Sequence, residues 1–387
     1  MSKVIYYIGD MGERDTALAV HTRNIAALLN RLGFEVKFLC CSINPGRNRY
    51  DTKDEYEYTY TKDYTNIPKL RGIEMWSENI WAQNLFCKFK ELNDKDPAFA
   101  VIFYGYSGEK QILRYCKKNN IAFYLDRTDW FEWSDRKHNL QNWINQKLAD
   151  RSIEHLDLQS DGVISISKFF YDYYTQNNVK TFWMPPLFNL PRINLESITV
   201  SSPIRLIYAG SLGSEKDTID PVIHCLINFF NSESLQFTLD LVGVSEEDLN
   251  SRFGACRWSD YGIFAHGKLS HAETVAKVAA SDFGILLRQN KRYAKAGFST
   301  KFAESMSNGV PMICTKIGGT DLLVDDGKNG LLIEDNSSES LQKVLDRILY
   351  LSPDEIIQMK KNALMTAQEN FEGTLYKDKI QWLLALQ

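Results

Sequence analysis

The sequence predicts an α/β protein of two Rossmann-like, doubly wound parallel-sheet domains facing each other across a cleft. Three observations lead there. Short apolar runs recur between stretches long enough to hold a helix, the same alternation restarts after a Pro-, Asn- and Ser-rich break at 185–203, and 387 residues exceed what one core usually serves. Apolar residues make up 44% and charged residues 24%, a globular balance that leaves little room for long disordered stretches.

Taken in order, Val4 to Ile8 reads as a strand, Thr16 to Leu32 has helical spacing, and Glu35 to Cys40 is strand-like again, which makes a β-α-β unit. Ala100 to Tyr104, Ile121 to Leu125, Gly162 to Ile166 and Lys180 to Met184 are further β-rich runs. Arg205 to Ala209 opens a second set, followed by Leu235 to Val242, Tyr261 to Ala265, Phe283 to Leu287, Pro311 to Cys314 and Gly330 to Ile333. The helix after Pro353 and a last one near Thr374 to Leu386 are amphipathic and need a surface to cover. The expected division is a first domain at 1–197, a second at 198–370, and a helix at 371–387 that packs back on the first.

The net charge of −4 argues against a protein that coats nucleic acid, which needs surplus Lys and Arg to displace counterions. Seven cysteines lack the C-x2-C spacing of a zinc site or redox pair and read as reduced thiols. The start, Met1 to Gly9, has no signal-peptide pattern, and no apolar run approaches the roughly 20 residues that span a bilayer. The expectation is a cytoplasmic chain whose membrane contact, if it has one, is peripheral and at the inner face. Trp76, Trp81, Leu85, Phe86, Lys88 and Lys90 form an aromatic-basic helical stretch that could rest on such a surface, although stripes of this kind more often belong to a core.

The most informative stretch is Ala296-Gly-Phe-Ser-Thr-Lys-Phe-Ala-Glu-Ser-Met-Ser-Asn-Gly-Val-Pro311, a loop, a short helix from about Ser299 to Asn308, and a buried strand. Gly297 lets the backbone approach a ligand closely, Ser299 or Thr300 can cap the helix, and the free N–H groups of its first turn suit a diphosphate. Lys301 adds a full charge. Glu304 lies one turn on along the same face, where a carboxylate can accept two hydrogen bonds from a ribose diol. On spacing alone, an i, i+3 surface ion pair between Lys301 and Glu304 is as good a reading.

This segment resembles the donor-binding motif of the family 4 retaining glycosyltransferases, especially the bacterial enzymes of polysaccharide assembly. Those enzymes often carry Glu-x7-Glu followed by a small residue, Gly and Pro; Glu304 and Asn308-Gly-Val-Pro311 match, while Ala296 replaces the first Glu, so the resemblance implies that its contact with the donor sugar comes from the N–H groups of Gly297 and Phe298 or from elsewhere. The resemblance implies the GT-B fold and retention of anomeric configuration. It implies a nucleotide-sugar donor, UDP-linked by family habit, and a glycan or lipid-linked saccharide acceptor. Leu206-Ile-Tyr-Ala-Gly-Ser-Leu-Gly-Ser-Glu-Lys216 resembles the family's strand, Gly turn and phosphate-binding Lys, so Gly210 and Lys216 carry over; Arg288, after Gly284-Ile-Leu-Leu, is the candidate for the basic residue missing at Ser211. Phe264-Ala-His-Gly-Lys-Leu resembles the segment against the nucleobase, which points to Gly267, Lys268 and Leu269.

On the acceptor side, Gly9, Asp10 and Gly12 follow the first strand without the spacing of a dinucleotide fingerprint, so a nicotinamide cofactor is not expected. Leu125-Asp-Arg-Thr-Asp-Trp-Phe-Glu-Trp133 ends another strand with carboxylates, an Arg and two Trp; Asp126, Arg127 and Asp129 are the catalytic candidates there, and a hinge-packing loop is the alternative. Ser167 and Lys168 resemble the family's residues at the acceptor edge. No Asp-x-Asp metal motif stands at a strand end, and His266 and His271 read as loop histidines, so neither metal nor cofactor is expected. A nucleotide-sugar epimerase on the same fold, or a carbohydrate-binding pseudoenzyme suggested by Ala296, are the competing readings.

Overall fold

The computed structural model describes residues 3–9, 17–40, 56–60, 73–135, 138–188, 190–210, 217–229 and 235–385. The chain divides into two compact units, Met1–Leu187 together with Tyr376–Gln387, and Phe188–Leu375.

In the first unit the strands are β1 (Lys3–Gly9), β2 (Phe34–Cys40), β3 (Glu57–Tyr60), β4 (Ala98–Tyr104), β5 (Ala122–Arg127), β6 (Gly162–Ser165) and β7 (Thr181–Trp183). They form one sheet in the order β3-β2-β1-β4-β5-β6-β7, with every described pairing parallel. Parallel strands need crossovers, and the helices that make them cover both faces, so strand residues are buried in runs and not alternately. β1 from Val4 onward is buried throughout. The strand order reverses between β1 and β4, whose last residues, Gly9 and Tyr104, lie opposite one another. Gly9 has φ +151° and a Cβ there would stand 2.1 Å from the Tyr104 carbonyl oxygen, so only glycine lets the two strands meet at this level.

The helix Lys377–Leu383 belongs to this unit: Ile380 and Leu383 are buried in a cluster with Leu28 and Phe182. Lys180 clips it, donating to the Leu383 carbonyl (3.0 Å) with its ammonium 4.6 Å from the Trp382 ring centre. In the helix Ile73–Lys95, Leu85 is fully buried and Phe86 meets Tyr115 edge-on at 5.7 Å, so these two members of the aromatic-basic stretch pack inward, beside the fully buried Phe89. Trp76 lies outside the residues whose side chains are described.

The second unit repeats the plan with β8 (Ile204–Ala209), β9 (Phe237–Val242), β10 (Ile263–Ala265), β11 (Phe283–Leu286), β12 (Met312–Thr315) and β13 (Gly330–Ile333), in the order β10-β9-β8-β11-β12-β13 and again parallel. One core of aliphatic residues runs through it from Leu206 and Leu239 to Leu341 and Ile348. The two doubly wound parallel sheets are those expected from the apolar runs. The exception is β3, whose Glu-Tyr-Thr-Tyr composition stands in a polar stretch and gives no apolar run to read.

Candidate active site

In an open α/β sheet, ligands bind beyond the carboxyl ends of the strands where the order reverses. In the second unit that point lies between β8 and β11, and Gly210 and Arg288 stand just past the ends of those two strands. The helix Thr300–Ser307 points its start at the same edge. Ser299 caps it, accepting a hydrogen bond from the Phe302 N–H at 3.3 Å, and is itself 3% exposed. Phe302, Ala303 and Met306 are fully buried, with Phe298 and Phe302 packed edge-on against Phe371. That burial fixes the helix, and Lys301 and Glu304 fall on its half-exposed side.

Lys301 and Arg288 converge on a residue that no motif singles out, Asp217. The Lys301 ammonium donates to one carboxylate oxygen (2.5 Å) and the Arg288 Nε donates to the other (2.9 Å). The ammonium also lies 4.6 Å from the centre of the Tyr208 ring, a cation–π contact. Gly210 makes this possible, because a Cβ there would lie 2.2 Å from the Lys301 Nζ. Burial opposes the charge on Asp217, but Lys301 and Arg288 outweigh it and hold the carboxyl below its usual range. Arg288 is anchored in turn, its N–H donating to the Thr315 hydroxyl at 3.0 Å.

The i, i+3 ion pair between Lys301 and Glu304 is not formed. Glu304 instead faces His271, the first residue of the helix His271–Ala279, at 3.7 Å from its Nδ1. Burial pushes the Glu304 carboxyl up, and the nearby His271 offsets this only in part. Spacing along the chain gives no warning of this contact, since the two residues sit on separate helices. His266 pairs with Asp240, which also holds Lys277 at 3.2 Å. Gly267 has φ +62° with open space where a Cβ would be, Lys268 is exposed, and Leu269 is packed beside Val242 and Ile207. Ala296 is fully buried and Thr300 half-buried. Gly297 has extended backbone and donates its N–H to the Tyr293 carbonyl. Lys216 lies outside the described residues.

The family described as glycosyl transferases group 1 matches residues 203–350, the stretch that holds Gly210, Asp217, Arg288, Lys301 and Glu304. Along most of its length the chain is 25% identical to an uncharacterized glycosyltransferase of Methanocaldococcus jannaschii, over 363 residues covering 89% of this chain and 87% of that one. This protein is a glycosyltransferase. Its fold is GT-B: it superposes with a TM-score of 0.74 on the sucrose-phosphate synthase of Thermosynechococcus elongatus (14% identity, 99% of this chain and 98% of that). The superposition on Anabaena HepE in complex with UDP gives 0.66 (16% identity, all of both chains).

In the transferase's first unit, two of the three catalytic candidates turn inward. Asp126 is 1% exposed and accepts from the Tyr7 hydroxyl at 2.5 Å, with His21 Nε2 at 2.9 Å. Arg127, also 1% exposed, donates to both oxygens of Asp157 (2.8 and 2.6 Å), to Glu109 (2.7 Å) and to the Gly105 carbonyl (2.5 Å). Asp129 stands two residues beyond β5, half-buried, its carbonyl accepting from Tyr106 at 2.5 Å. Ser167 is a buried cap that accepts from the Phe170 N–H at 3.3 Å, and Lys168 pairs with Asp172 one turn along. Asp10 and Gly12 lie outside the described residues. Among those described, no helix is long and apolar enough to cross a membrane, and no group of three or more His, Cys, Asp or Glu side chains is placed to hold a metal ion.

Proposed function

We propose that this glycosyltransferase moves a hexose-type sugar from a UDP-sugar, with retention and without a metal, onto a glycan or lipid-linked saccharide in surface polysaccharide assembly. The observation that carries the donor half is the convergence of Lys301 and Arg288 beside the start of the helix Thr300–Ser307, with Glu304 one turn in. Two fixed cations and a helix start stabilise the charge that grows on a departing diphosphate, which is the part a metal plays elsewhere. The Glu304 carboxylate is available to accept from a ribose diol. The UDP complex of HepE, on the same fold, agrees with a uridine donor.

Thermal-shift measurements with UDP, GDP, NAD and a panel of UDP-sugars in EDTA test this. One nucleotide-sugar should stabilise the parent and fail to stabilise Glu304→Ala. Because burial raises the Glu304 carboxyl, UDP binding through its ionised form is expected to weaken on acidification sooner than an ordinary glutamate would allow, and Glu304→Gln should lose that part of the pH dependence. Stabilisation by NAD alone, or none by any nucleotide, would refute the donor assignment.

In the first unit we give Asp126 and Arg127 structural roles and keep Asp129, at the carboxyl edge of β5, for assistance to the acceptor. Asp129→Asn is expected to lower turnover while UDP affinity stays within about twofold of the parent; unchanged turnover in an acceptor assay would remove that role.

A further inference from the structure

Asp217 is held at the site by its backbone as well as by its carboxylate. Its backbone bridges to Arg288, and its neighbour Thr218 donates to the Leu287 carbonyl at 2.9 Å, so the residue is pinned to the end of β11 and cannot drift from the site. Its carboxylate offers one oxygen to the Lys301 ammonium and the other to the Arg288 Nε, both through charge-assisted hydrogen bonds. Asp217 and Arg288 are each 8% exposed, so these bonds are largely shielded from water. Two oxygens presented side by side to an ammonium and a guanidinium imitate one edge of a phosphate group.

We propose that Asp217 is a built-in competitor of the donor's diphosphate: its carboxylate holds the two cations in place, and the phosphate oxygens take over from it when the nucleotide binds. The inference rests on Lys301 and Arg288 being the phosphate-binding cations. Among the described residues, one negative charge faces two positive ones, so the cluster keeps its attraction for an anion but a weaker one than the bare pair would have. A transferase must release its nucleoside diphosphate after each transfer. A carboxylate that returns to the same donors speeds that release, at the expense of affinity.

The test compares the parent with Asp217→Asn by calorimetry against UDP and against inorganic pyrophosphate. Asparagine keeps an acceptor oxygen for Lys301 and removes the competing charge. Both ligands are expected to bind about tenfold tighter to Asp217→Asn, and steady-state turnover is expected to fall with stronger inhibition by added UDP. Asp217→Ser, which removes the charge from a smaller side chain, should tighten both in the same direction and guards against a misfolded asparagine variant. Unchanged or weaker binding in both variants, with melting temperatures near that of the parent, would overturn the competitor role and leave Asp217 as a strut for Lys301. Binding of UDP without pyrophosphate, indifferent to Asp217, would overturn it also while sparing the uridine-site reading. Failure of both ligands to bind even the parent would instead bring down the donor site on which the inference stands.

Discussion

Arg127→Met should lower the stability of the protein by about 3–5 kcal/mol, the usual cost of removing one partner from a buried ion cluster. The Arg127 side chain is what allows Glu109 and Asp157, both fully buried, to sit together under the first sheet. Burial drives the Glu109 carboxyl well up even with the guanidinium beside it, whereas Asp157, opposed by the same burial, is held below its usual range by Arg127. Tyr174 adds a hydrogen bond to Asp157 from the helix Lys168–Gln176, so the cluster ties β5 to the helix Glu109–Lys118 before it and to two segments that follow it. Without the cation, two acids share a dry site, and one must take up a proton or the packing must open. Urea denaturation reads the loss directly. Replacing Glu109 with Gln in the same chain should recover part of it, and UDP binding by the folded Arg127→Met protein should match the parent. A variant with parental stability and lost turnover would return Arg127 to the catalytic group.

That cluster also marks where reading the sequence reaches its limit. Leu125 to Trp133 looks like a site because it concentrates charge at a strand end, and the strand end is there. In a parallel sheet covered on both faces, however, both sides of the strand lead into packed layers, so Asp126 and Arg127 point to opposite interiors and only Asp129 reaches the edge. The partners that decide this, Tyr7 and His21 for Asp126, Glu109 and Asp157 for Arg127, come from distant segments with no shared spacing. The apolar strands were legible because burial on both faces leaves continuous apolar runs. Gly210, Lys301, Glu304 and the Ser299 cap were legible because a loop, a cap and a helix turn are local. Asp217 and His271 were not, since each earns its place only through a contact made across the fold.

Lys301→Met should lower kcat by about 10²–10³-fold, equivalent to roughly 2.7–4 kcal/mol of transition-state stabilisation, the scale for removing one preorganised donor from developing negative charge. Lys301 is the more accessible of the two cations, its side chain 28% exposed against 9% for Arg288, so it is the one placed to follow charge onto a leaving phosphate. Methionine keeps the length and the packing against Tyr208 but leaves the Asp217 carboxylate facing the phosphate with Arg288 alone of the two described cations. UDP binding should therefore weaken as well, for a reason separate from the loss of rate. The double variant Lys301→Met, Asp217→Asn separates them: relieving the unbalanced carboxylate should bring UDP affinity back to within a few-fold of the parent, while kcat stays as low as in Lys301→Met alone. Single-turnover kinetics at saturating donor make the comparison. If kcat recovers together with affinity, the role of Lys301 is to neutralise Asp217 and not to stabilise the leaving group.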